Sequence, residues 1–135
     1  MIIEPGAKII AEGTVDKPIV FTSDKEPGKR LDRVTGGGLI ICGNARVNRT
    51  NQPTIEGGPG TLYGNTTSDE FNAESSGKLK YVRIEFAGYP LEPDKEINGL
   101  TFGGVGSGTE VEFVQVSFSN DDSYEWFGGT VNANT

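Results

Sequence analysis

Apolar and polar residues alternate with a period of two in three stretches of the chain, and these stretches resemble one another. In Lys80-Tyr81-Val82-Arg83-Ile84-Glu85-Phe86-Ala87-Gly88, Val82, Ile84 and Phe86 alternate with Arg83 and Glu85. In Glu112-Phe113-Val114-Gln115-Val116-Ser117-Phe118-Ser119-Asn120, Val114, Val116 and Phe118 alternate with Gln115 and Ser117. A fainter copy, Pro18-Ile19-Val20-Phe21-Thr22-Ser23-Asp24, lies near the start. This pattern puts one set of side chains on the buried face of a strand and the other in water. Each copy is followed, after a loop, by a second element: Gly38-Leu39-Ile40-Ile41-Cys42-Gly43, Gly99-Leu100-Thr101-Phe102-Gly103-Gly104 and Tyr124-Glu125-Trp126-Phe127-Gly128-Gly129. Two strand types recurring in fixed order predict coils stacked on coils.

Upstream of the alternating runs, Leu79 and Tyr81 match Val111 and Phe113, but with the opposite parity. A parity shift inside a strand predicts a corner there. Phe86 and Phe118 are 32 residues apart, whereas Phe102 and Phe127 are 25 apart. The difference falls in Tyr89 to Ile97, which replaces the shorter Asp121-Asp122-Ser123. Without that insertion the period is 25, which suits one turn of a three-sided coil. In this register Ile19, Ile84 and Val116 form one buried column, and Phe21, Phe86 and Phe118 another. Trp126 aligns with Thr101 and Ile40, and Cys42 with Gly103 and Gly128. The prediction is a single all-β domain over 1–135, a short right-handed parallel β-helix of few coils.

Two further excursions leave the pattern. Residues 25–36 are charged, and 45–77 are rich in Gly, Asn, Thr, Ser and Pro, with short strands expected at Thr54-Ile55-Glu56 and Thr61-Leu62-Tyr63. Long loops on one side of a repeat are where such proteins carry binding surfaces. The recurrent Gly38, Gly99, Gly103, Gly104, Gly128 and Gly129 read as tight corners or close backbone approaches. No glycine run precedes a Lys-Ser/Thr pair and a helix, so they do not read as a phosphate loop.

Composition narrows the chemistry. A formal charge of −7 opposes nucleic acid and anionic lipid as partners. The chain has no His, which removes the commonest neutral-pH acid–base group and the commonest zinc ligand. One Cys allows no internal disulfide, and without a His to activate it Cys42 reads as a small buried thiol. Nothing approaches the ~20 apolar residues of a membrane helix, and Met1-Ile2-Ile3-Glu4-Pro5 lacks the blocks of a signal peptide.

Tyr124-Glu125-Trp126-Phe127-Gly128-Gly129-Thr130-Val131-Asn132-Ala133, with Gly38-Leu39-Ile40-Ile41-Cys42-Gly43-Asn44-Ala45 and Ala11-Glu12-Gly13-Thr14, resembles a family of bacterial secreted or lipid-anchored proteins. These are right-handed parallel β-helices of pectate-lyase-like type, mostly without an assigned activity. The resemblance implies that fold and an extracellular or cell-surface home, and it implies no catalytic residues. The chain departs from the family pattern where Ile3-Glu4-Pro5-Gly6 runs almost directly into Ala11-Glu12-Gly13-Thr14. It departs again at Val34-Thr35-Gly36, where a Trp is usual, and at Asn134-Thr135, where relatives continue. An N-terminal portion of a longer protein is the expectation.

Asn120, Asp121, Asp122 and Glu125 form the sharpest polar group, with Tyr124 and Trp126 beside it. Asp121, Asp122 and Glu125 are candidate calcium ligands, since Ca²⁺ takes six to eight oxygens and tolerates irregular loops. The same residues also suit a turn in which Asp and Asn side chains accept local backbone N–H groups. Similar acidic clusters in β-helix polysaccharide lyases bridge calcium to substrate carboxylates, with a Lys or Arg base nearby. Lys80 and Arg83 are candidates for that base, or simply the solvent face of a strand. Tyr124, Trp126 and Tyr89, with Tyr63, are candidate sugar-stacking rings; Trp126 reads equally as a corner residue. Asn48-Arg49-Thr50 and Asn65-Thr66-Thr67 match the N-glycosylation pattern and mark surface loops.

The leading expectation is a non-enzymatic extracellular scaffold or adhesion module with no cofactor. A glycan-binding module, calcium-assisted or not, is the alternative, and a polysaccharide lyase or hydrolase fragment is third. An unpaired last coil ending in apolar Val131 and Ala133 predicts end-to-end association.

Overall fold

A computed structural model describes residues 1–30, 36–90 and 96–134. The middles of the charged excursion 25–36 and of the insertion 89–97 lie outside the described residues, as do Val34 and Thr35. Among the described residues there is no helix, and nine strands account for the regular structure. They are β1 (Ile2–Ile3), β2 (Ile9–Glu12), β3 (Ile19–Phe21), β4 (Leu39–Cys42), β5 (Gly77–Glu85), β6 (Leu100–Val105), β7 (Glu110–Ser117), β8 (Tyr124–Gly129) and β9 (Ala133–Asn134).

All strand pairings are parallel, and they form two sheets. One runs β1-β4-β6-β8; the other runs β2-β5-β7-β9, with β3 also beside β5. In chain order the strands therefore visit the first sheet, then the second, four times. Parallel neighbours need long connections, which the excursions and corner segments supply.

The parity shift is a corner, as the alternation predicts. The β5–β7 ladder pairs Leu79 with Val111 and Val82 with Val114 but skips Tyr81 and Phe113, whose φ angles are 49° and 52°. These left-handed residues let Leu79 and Val82 both face inward, although they are three apart. The corner divides the second sheet in two: β2 pairs with the half before Tyr81 and β3 with the half after it. A matching corner closes each strand at Phe86 and Phe118, with φ of 60° and 57°. The aromatic rings at both corners stack: Tyr81 on Phe113 at 4.7 Å and Phe86 on Phe118 at 5.0 Å between centroids.

The core between the sheets holds Leu39, Ile41, Leu79, Val82, Ile84, Leu100, Phe102, Val105 and Val111, with Ile9 and Ala11 from the first pass. A second cluster lies on the opposite face of the first sheet, where Ile40 and Cys42 meet Val47, Ile55, Tyr63 and Ile97. The excursion after β4 supplies most of it, and its two expected strands touch as an antiparallel bridge between Thr54 and Leu62. Gly103 makes this layer possible: a Cβ there would lie 2.8 Å from Ile55 Cδ1 and 3.0 Å from the Tyr63 ring.

Two registers and one burial expectation need correction. Ile19 pairs with Val82 and Phe21 with Ile84, so the first copy sits two residues earlier than expected. A two-residue shift keeps every side chain on its face, which is why the pattern could not distinguish the two alignments. The reason lies at Gly13, which takes the place of Tyr81; a five-residue loop, 14–18, then separates it from β3. In the first sheet, Leu100 lies opposite Tyr124, one residue short of the period of 25. Trp126 therefore pairs with Phe102, and Phe127 with Gly103. A one-residue shift exchanges the faces: Trp126 joins the inner column of Ile41 and Phe102, while Phe127 joins the outer layer. Finally, Phe86 and Phe118 are not a core column; Phe86 is half-buried and Phe118 is 62% exposed.

Candidate functional site

A groove opens where the excursion meets the end of β8. Its volume is about 730 Å³, and its walls include Arg46, Asn48, Arg49, Tyr63, Thr66 and Trp126. That volume lies within the range of small-ligand sites, ≈ 300–1,000 Å³. Phe127, Gly128 and Gly129 of β8 complete the floor.

The walls are held by main-chain hydrogen bonds. Gly129 N–H donates to the Arg46 carbonyl at 2.9 Å, Val47 N–H to the Asn65 carbonyl at 2.9 Å, and Asn65 N–H to the Ala45 carbonyl at 3.0 Å. The Asn65 side chain accepts from Thr67 N–H and Ser68 N–H at 3.0 and 2.9 Å, fixing the turn that carries Thr66. Asn65 thus works as a turn residue. Gly128 adopts φ of 69° and abuts Val47, so β8 and the excursion meet without an intervening side chain.

Charge and polarity inside the groove differ from the rest of the surface. Arg46 reaches Asp69 at 3.5 Å across an exposed ion pair, whereas Arg49 makes no ion pair among the described residues. Tyr63 is only 3% exposed, and its hydroxyl has no hydrogen-bond partner among the described residues. Burial pushes the Tyr63 phenol up, opposed by the positive charge of Arg49, with Cys42 and the negative charge of Glu125 adding to the rise. Tyr63 borders the groove, so its hydroxyl, without a protein partner among the described residues, is available to water or a ligand there.

The sequence candidates fall in three places. Trp126 and Tyr63 both border the groove, but the ring that meets Tyr63 is Phe127, at 6.5 Å between centroids, because the Trp126 ring faces the inner column. Trp126 is 48% exposed and caps the Phe102 ring at 5.5 Å, with the Tyr124 ring of the same strand 6.0 Å away. Tyr124 lines a separate apolar opening of about 160 Å³ with Val111, Val114, Trp126 and Ala133, and donates its hydroxyl to the Val114 carbonyl at 2.7 Å. Tyr89 is exposed and lies on neither wall.

Asp121, Asp122 and Glu125 do not converge. Asp121 and Asp122 are exposed in the turn before β8, where Asp122 N–H donates to Asp121 Oδ1 at 2.9 Å and Ser119 Oγ to the Asp122 carbonyl at 3.2 Å. Glu125 stands on the outer face of the first sheet and accepts from the Asn98 amide. Among the described residues no group of three or more acidic or thiol side chains is placed to hold a metal ion. The turn chemistry of Asp and Asn accounts for the acidic corner as built. Lys80 and Arg83 are engaged by their neighbours: Lys80 pairs with Glu112 at 3.2 Å, and Arg83 with Glu85. Cys42 is fully buried, and burial pushes its thiol up to about 11.

Sequence reasoning passed over Arg46, Arg49 and Thr66. The available signal was two arginines three apart in a polar excursion of an otherwise acidic chain, but only the fold shows that this segment returns against β8.

The family model described as a pectate-lyase like beta helix domain matches residues 1–135. No curated protein and no solved structure matches the chain.

Proposed function

The chain belongs to the pectate-lyase-like β-helix family, and from that premise we propose that it is a short right-handed solenoid acting as a non-enzymatic extracellular or cell-surface scaffold or adhesion module. One observation carries this reading. Three ring stacks run across the ranks of strands, and each ends on the same side with a half-exposed ring: Phe113, Phe118 and Trp126. Together with the apolar opening beside Trp126 they make an end surface suited to another layer of strands rather than to water. A second copy of the chain stacked on this end gives the end-to-end association expected of an adhesion module. The acidic surface disfavours nucleic acid and anionic membranes, and among the described residues no helix is long and apolar enough to cross a membrane.

Sedimentation velocity over a wide concentration range tests the proposal. Dimers or longer species should appear as concentration rises and recede in Phe118→Ser. A monomer at all concentrations would defeat the adhesion reading. With the three carboxylates apart, millimolar Ca²⁺ should leave the unfolding midpoint of the protein unchanged.

The groove favours a second reading, in which the scaffold also binds a glycan or other small ligand between the excursion and the end of β8. Its walls come from the longest excursion, where repeat proteins place recognition.

A further inference from the structure

We propose that the groove between 46–50, 63–66 and the end of β8 selects ligands carrying an oxyanion, with the charge held by Arg49 and Arg46 and a hydrogen bond donated by the Tyr63 hydroxyl. This rests on the ligand-binding reading of the groove and is independent of the scaffold reading.

The chain carries a formal −7, yet both charged residues on the groove's lining are arginines; Asp69 and Glu125 stand behind it, Glu125 near enough for its charge to act on Tyr63. Arg49 has no ion-pair partner among the described residues. Among the described residues the Arg46 guanidinium is held only by the exposed pair to Asp69, an interaction of small net worth that a better acceptor can displace. A guanidinium presents a planar fork of donors that matches carboxylate, sulfate or phosphate oxygens.

Tyr63 supplies the second, independent observation. The residue is almost fully buried and borders the groove, and its hydroxyl has no protein acceptor among the described residues. A bound oxyanion would satisfy it, and arginine and phenol would then address the same group. The remaining lining is mixed: Asn48, Thr50 and Thr66 are polar, and Val47, Phe127 and the Gly128–Gly129 backbone are apolar. A ligand with a charged head and a small body that is partly apolar and partly hydrogen-bonding suits it. The main-chain bonds that fix the walls limit the ordering cost of binding.

Isothermal titration calorimetry reads binding, and Trp126, the sole tryptophan of the chain, is a second reporter on the strand that floors the groove. The probes are benzoate and phenyl phosphate, with benzyl alcohol as the neutral counterpart. Both anions should bind saturably, the neutral probe should not at the same concentrations, and added salt should weaken the response. Whichever anion binds more tightly identifies carboxylate or phosphate as the preferred head. Arg49→Gln should weaken binding about fivefold or more. Tyr63→Phe keeps the ring that packs the outer layer and should weaken binding about threefold without lowering the unfolding midpoint. Equal binding of benzyl alcohol, or unchanged affinity in Arg49→Gln, would overturn oxyanion selection while leaving a ligand groove. No saturable response to any probe would overturn both.

Discussion

β4 is buried on both faces, and the two layers it touches are built on different principles. Inward, Leu39 and Ile41 join columns that repeat from pass to pass: Ile3, Ile41, Phe102 and Trp126 stack in register across the first sheet. Outward, Ile40 and Cys42 meet Val47, Ile55 and Tyr63, which come from one excursion and have no counterpart in other passes. A repeated layer is stabilised by neighbours on either side, whereas the outer layer depends on a single loop closing over it. The inner layer should therefore report global stability, and the outer layer should open by itself at lower cost.

The largest effect belongs to the inner layer. Phe102 is fully buried between Ile41 and Trp126, so Phe102→Ala should cost about 3–5 kcal/mol. Chemical denaturation read by far-ultraviolet circular dichroism measures it; a loss under about 1 kcal/mol would mean that the inner columns do not carry the fold.

Ile55→Ala tests the outer layer. The chemical deletion is comparable, but the loop can collapse into the space, so the cost should be near the low end for such changes, about 2 kcal/mol. Cys42 gives this layer its own probe. Its thiol is fully buried and held in the neutral form by burial, so alkylation requires opening. In Ile55→Ala the Cys42 labelling rate under native conditions should rise much more than in a variant of equal global stability damaged on the inner side. Equal rises in both would show that the two layers open together.

The two layers also differ in how far they could be read from sequence. The corner at Tyr81 and Phe113 was legible because alternation with a fixed period must break where the chain turns, and the 32-residue register of β5 on β7 followed from it. Leu39-Ile40-Ile41-Cys42 shows no alternation, which is the signature of a strand covered on both faces; the cover itself was not legible. Matching Phe102 to Phe127 failed because like residues were aligned without knowing that Gly103 leaves space for a large ring beside Tyr63. The acidic corner was legible as composition, but convergence of side chains depends on which face each strand residue takes. Glu125 faces the outer layer while Asp121 and Asp122 stay in the turn.

Phe86 shows what a corner ring is worth. It stacks on Phe118 but is only half-buried, so Phe86→Ala should cost about 1 kcal/mol, well below the 3–5 kcal/mol range of a core column. Its φ of 60° also costs energy for any residue with a Cβ. Phe86→Gly should therefore be no worse than Phe86→Ala, although glycine loses more chain entropy on folding. A cost of several kcal/mol in the alanine variant would restore Phe86 to the core and count against the inner–outer division.

The smallest effect probes the edge of the outer layer, where a carboxylate intrudes. Burial raises the Glu125 pKa above its ordinary 4.5; the Asn98 hydrogen bond lowers it, and the negative charges of Asp122, Asp121 and Glu56 add to the rise. The folded state thus holds this proton more tightly than the unfolded state does, so ionising Glu125 subtracts from stability. The loss is complete at neutral pH and disappears as pH falls through the raised folded value to below 4.5. Glu125→Gln should accordingly unfold at a slightly higher temperature than the parent at pH 7, and the gap should close on acidification through that window. Partial exposure and salt screening keep the gain small. A variant less stable than the parent at pH 7 would mean that the bond from Asn98 to the carboxylate outweighs its burial, and that the outer layer depends on this contact rather than tolerating it.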